Sequence, residues 1–69
     1  MMIITNETKG RSDTWHACHI EVRSWDERWV QTNEVLSVKP GTFWKDQIQE
    51  VAKDKRLKPN RVRLVDHLS

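Results

Sequence analysis

The chain has 69 residues, a net charge of +2 and 36% apolar residues, enough for one small domain and no second. A domain of this length buries only ~60% of the surface its unfolded chain exposes, which leaves little room for an enclosed catalytic cleft. A single cysteine, Cys18, excludes an internal disulfide and points to a reducing, cytoplasmic setting. The opening apolar run, residues 1–4, is too short for a signal peptide or a bilayer span, so a soluble protein without a membrane partner is expected.

Residues 1–13 join that run to Asn6-Glu7-Thr8-Lys9-Gly10-Arg11-Ser12-Asp13 and read as a flexible N-terminal arm, with a short strand over Met2–Thr5. Residues 14–69 then form the single domain. From Trp15 to Arg23 the pattern alternates with period two. Cys18, Ile20 and Val22 face a core; His19, Glu21 and Arg23 face away, in the same row as Trp15, Ala17 and Trp25. A second strand runs over Trp29–Val38, with Val30, Thr32, Leu36 and Val38 inward.

The connection Trp25–Trp29 lacks an Asn-Gly or Asp-Gly pair, which predicts a longer loop than a two-residue turn. Pairing Trp25 with Trp29 would set Glu34 opposite Ile20, inside. A buried unpaired carboxylate is costly, so a bulge near Asn33–Glu34 or a shifted register is expected.

Lys39-Pro40-Gly41-Thr42 ends the strand pattern, and Thr42 is placed to cap a helix. Trp44, Ile48, Val51 and Ala52 fall on one helical stripe, with Asp46 and Glu50 early and Lys53, Lys55 and Arg56 late, as the helix dipole favours. The predicted helix covers Thr42–Lys55. Leu57–Asn60 reads as a turn and Arg61–Val65 as a strand with Val62 and Leu64 inward and Arg61 and Arg63 outward; Asp66–Ser69 reads as a tail. The expected fold is α+β: an antiparallel hairpin plus one further strand, with a single helix packed on one sheet face, in the order β-β-α-β.

The stretch VLSVKPGTFWKDQIQEVAKDKRLKPNRVRLV, residues 35–65, resembles a cut-down ubiquitin-like β-grasp: a strand, a Pro-Gly turn, a helix, a Leu-x-Pro turn and an Arg/Val/Leu strand. It covers about half the chain and carries no diagnostic motif, and without a Gly-Gly tail no conjugation to a target is implied. The arrangement is also similar to small T7-type phage inhibitors of host RNA polymerase, through Trp15-His16-Ala17 at a strand start and Arg61-Val62-Arg63 in the closing strand. That likeness is one of shape with two local matches, and no function rests on it.

His16-Ala17-Cys18-His19 is the one cluster of metal-type ligands. On a strand, His16 and Cys18 share a face and His19 points away, so the tetrahedral set of a structural zinc is not expected. Cys18 reads as a small core residue, and the histidines as rim or surface residues. With two glycines there is no phosphate loop, and neither an enzyme nor a cofactor is expected. Six bases against one acid, Asp54, fall between Lys53 and Arg63. Lys53, Lys55, Arg56 and Lys58 form either a solvated helix end or an electrostatic patch.

The outward row collects Trp15, His19, Arg23, Trp25, Arg28, Trp29, Arg61 and Arg63 as candidate partner-binding residues, Trp and Arg being the types most enriched at interface hot spots. Two plain alternatives compete: Trp25 and Trp29 stack across the hairpin, or the arm folds over this face. The favoured reading is a small non-catalytic binding module, an adaptor or inhibitor of the kind phages and mobile elements encode, docking on a larger intracellular protein. The alternative is nucleic-acid binding by the same aromatic and basic face. A monomer, or a weak homodimer through a sheet edge, is expected.

Overall fold

The structure is a computed structural model that describes residues 1–67; Leu68 and Ser69, the end of the expected tail, lie outside the described residues. Four strands and one helix follow in the order β1 (Met2–Ile4), β2 (His16–Arg23), β3 (Trp29–Val38), α1 (Trp44–Lys55) and β4 (Val62–Asp66). They form one antiparallel sheet in the order β1-β4-β2-β3, with α1 across one face. The α+β expectation holds, with one strand more than β-β-α-β.

The added strand is the N-terminal run. Residues 1–13, expected as an arm outside the domain, are built into it. Ile4 pairs with Leu64 and is fully buried. Residues 10–12 are then stitched to the turn before the helix: the Ser12 amide donates to the Thr42 carbonyl at 2.9 Å, and the Gly41 amide to the Ser12 carbonyl at 2.8 Å. Ser12 Oγ also donates to the Lys39 carbonyl at 2.6 Å.

That stitching changes the helix start. The helix begins at Trp44, two residues later than expected, and its N-cap is Phe43, which contributes no side-chain hydrogen bond. Thr42 is occupied with Ser12, while the Trp44 amide donates to the Gly10 carbonyl at 3.1 Å. An orphan donor of the first turn is thus satisfied by the N-terminal segment rather than by a cap. At the other end Arg56 adopts a left-handed conformation (φ 58°), with the Leu57 amide bonded to the Ala52 carbonyl and the Arg56 amide to the Lys53 carbonyl. This is a Schellman closure with arginine where glycine is usual.

The stripe Trp44, Ile48, Val51 and Ala52 packs on Cys18, Ile20, Val38, Val62, Leu64 and Ile4. The inward rows read from period two are therefore the core rows, except in β3, where Val30, expected inward, is exposed. In the hairpin His19 pairs with Val35 but Glu21 with Gln31, so Thr32, Asn33 and Glu34 together stand opposite Ile20. Thr32 Oγ1 donates to the Ile20 carbonyl at 2.8 Å across this bulge. Glu34 escapes the core as expected, exposed and paired with Lys55. The bulge lies where the charge required it.

Candidate docking face

The outer sheet face is ordered in rows by the register. One row runs Ile3, Val65, His19, Val35; the next Arg63, Glu21, Gln31; the last places Arg23 beside Trp29. Five of the expected residues meet at the hairpin end of this face: Arg23, Trp25, Trp29, Arg61 and Arg63. The Arg63 guanidinium lies 4.4 Å from the centre of the Trp29 ring, and Arg23 lies 6.0 Å from it. Both cations are neutralised. Arg63 Nε and a terminal nitrogen donate to Glu21 Oε1 at 2.8 and 2.7 Å, and Arg23 pairs with Glu27 at 2.8 Å.

Trp25 sits apart on the β2–β3 loop, residues 24–28, and is 95% exposed. The loop holds it out by a defined geometry. The Glu27 amide donates to the Ser24 carbonyl at 3.1 Å, Glu27 is left-handed (φ 65°), and the Ser24 amide closes on the Arg28 carbonyl at 2.8 Å. This is a turn followed by a left-handed bulge residue, a common hairpin closure. The Ser24 hydroxyl donates to Asp26 and, with the Arg28 amide, holds that carboxyl below its ordinary range. Arg61, in a short 3₁₀ turn leading into β4, brings its guanidinium to 5.8 Å from the Trp25 ring. Arg28 is exposed beside it, paired with Asp26 at 3.5 Å.

The rest of the expected set lies elsewhere. Trp15 is 64% exposed at the far end of β2, roughly 30 Å from the loop by strand rise. His19 is in mid-sheet, its ring edge-on to His67 at 5.1 Å. Lys53 and Lys55 flank the helix on the opposite side of the sheet, with Arg56 and Lys58 exposed at its end, so the basic run does not extend the outer face. Of that run Arg61 and Arg63 alone reach it. Instead of stacking on Trp25, the Trp29 ring lies near Arg63 and Arg23, and the N-terminal segment places Ile3 at the edge of this face.

His16 also departs from expectation. Rather than a rim residue, it is largely buried on the inner face, with Nδ1 at 2.6 Å from Asp66 Oδ2 and its ring edge-on to Trp44 at 5.3 Å. Cys18, beside it in the same row, is fully buried; burial, and then the Asp66 charge, push its thiol up to about 11. A thiol held protonated is a poor nucleophile. Among the described residues no group of three or more metal-type ligands converges, and no helix is long and apolar enough to cross a membrane. Comparison with protein-family models, curated proteins and solved structures finds no match.

Proposed function

We propose that this chain is a small non-catalytic binding module that docks on a larger protein in the cytoplasm, as an adaptor or inhibitor of the kind phages carry, with Trp25 as its anchor. The observation that carries the reading is a tryptophan 95% exposed on a loop fixed by its own hydrogen bonds. A large ring carried on a fixed backbone spares the partner the cost of ordering the loop, which suits an interface hot spot. Around it lie the pairs Arg23–Glu27 and Arg28–Asp26, a charged rim of both signs. The arginine-flanked Trp29 forms the firm platform behind.

Nucleic-acid binding is the second reading, favoured by Arg61 beside Trp25. The pairing of Arg23, Arg28 and Arg63 with carboxylates weighs against it, since a phosphate contact would first have to displace them. Arg63 at 4.4 Å and Arg23 at 6.0 Å from the centre of the Trp29 ring are further groups that a stacking base would meet there.

The test compares wild type with Trp25→Ala, which touches no core residue. Immobilised wild type is expected to retain a protein from host lysate that Trp25→Ala releases, while tryptophan fluorescence stays flat on titration with a mixed-sequence single-stranded oligonucleotide. Equal retention by both proteins sinks the reading. Quenching that fades steeply with salt replaces it with the second one.

A further inference from the structure

β3 is both the longest strand and an outermost one. Seven of its ten residues pair in register with β2 along one side, and among the described residues no strand pairs with the other. Proteins usually blunt such an edge with brevity, lysine, proline or a bulge. The opposite edge, β1, is three residues long. β3 has no lysine, no proline and a single charge, Glu34, which is already paired with Lys55; its one protection is the bulge at residues 32–34, which leaves a regularly paired segment on either side. Val30 is 47% exposed on its inner face and Val35 60% exposed on its outer face. The helix does not close the inner side: a groove of about 530 Å³ lies between β3 and α1, floored by Ile20, Leu36 and Val51.

We infer that β3 pairs antiparallel with β3 of a second copy about a two-fold axis through Asn33. The bulge dictates this register. With the axis at Asn33 the irregular residues 32–34 of both copies face each other, which leaves two regular ladders, Trp29–Gln31 of one copy against Val35–Ser37 of the other. Inner residues then meet inner residues, and Val30 lies opposite Leu36 of the second copy, at the mouth of the groove. Moving the axis to Glu34 sets two carboxylates directly opposite, and moving it to Thr32 sets Val30 against Glu34. A shift of one residue in the pairing turns every side chain to the wrong face. The strand is thus self-complementary in one register, which is what an isologous contact requires.

Two short ladders bury less than the ~800 Å² per partner of a stable interface, so the dimer forms and dissociates with concentration. Both Trp25 loops stay outside the contact, one at each end, and the inference stands independently of the docking reading.

Sedimentation velocity over a concentration series is expected to show wild type shifting from monomer toward dimer, and Val35→Lys, a change at an exposed position, staying monomeric and folded by circular dichroism. In a Cys18→Ala background, Asn33→Cys is expected to give at least tenfold more disulfide-linked dimer on mild oxidation than Gln31→Cys. A wild type that stays monomeric throughout overturns the inference. So does a dimer that survives Val35→Lys, or cross-linking that is equal at the two positions.

Discussion

His16 Nδ1 lies 2.6 Å from Asp66 Oδ2, joining the first residue of β2 to the last residue of β4 across 50 residues of chain. A carboxylate only accepts, so Nδ1 carries the hydrogen and the bond is charge-assisted. Replacing His16 by Ala removes that donor and the edge contact with Trp44 together. The expected loss is about 1.5–3 kcal/mol, the range for a hydrogen bond to a charged group, read as a lower urea midpoint at unchanged slope.

The Cys18 thiol, pushed up to about 11 from 9.0, makes stability fall at alkaline pH. The folded state keeps the proton that the unfolded state releases, so this contribution is whole below pH 9.0 and is lost between 9.0 and about 11. By pH 10.5 wild type should have lost about 2 kcal/mol more than Cys18→Ala, each measured against its own stability at neutral pH. The chain has no tyrosine to blur the comparison, and the variant shares every lysine. At neutral pH a thiol reagent should label the native protein far more slowly than the denatured one.

Arg56 occupies a left-handed position that disfavours a side chain. It is exposed, and no salt bridge or side-chain hydrogen bond ties it down among the described residues. Arg56→Gly should therefore raise stability by about 1 kcal/mol, seen as a higher urea midpoint with unchanged far-ultraviolet circular dichroism.

Trp25 and Trp29 differ in what they support. Trp25→Ala should leave stability within about 0.5 kcal/mol of wild type, as is usual for an exposed position. Trp29→Ala withdraws the ring beneath Arg63 and should cost about 1–2 kcal/mol. Equal losses at the two sites would contradict the division into anchor and platform.

What is legible in the sequence is what depends on near neighbours. Cys18, Ile20 and Val22, like Trp44, Ile48, Val51 and Ala52, declare their faces by spacing alone, and the strain of an inward Glu34 announces the bulge. What is illegible depends on distant residues. Three residues of β1 carry too short a pattern to show that Leu64 completes their pairing. Thr42 looks like a cap until Ser12 is known to occupy it. The outward direction of Arg63 can be read, but its neutralisation by Glu21 follows from the β2–β4 register. Trp25 and Trp29 look equivalent in the sequence, and only the loop closure separates them.

The last strand in chain order lies between β1 and β2, in the interior of the sheet. On a ribosome the hairpin can close and the helix can wind early, yet the middle of the sheet stays empty until residues 62–66 emerge. At ~5–20 residues per second, β1 waits for seconds before its partner exists. During that interval Ile4, Ile20 and Val22 lack the strand that covers them, and a chain interrupted before Val62 has no sheet to join its two halves.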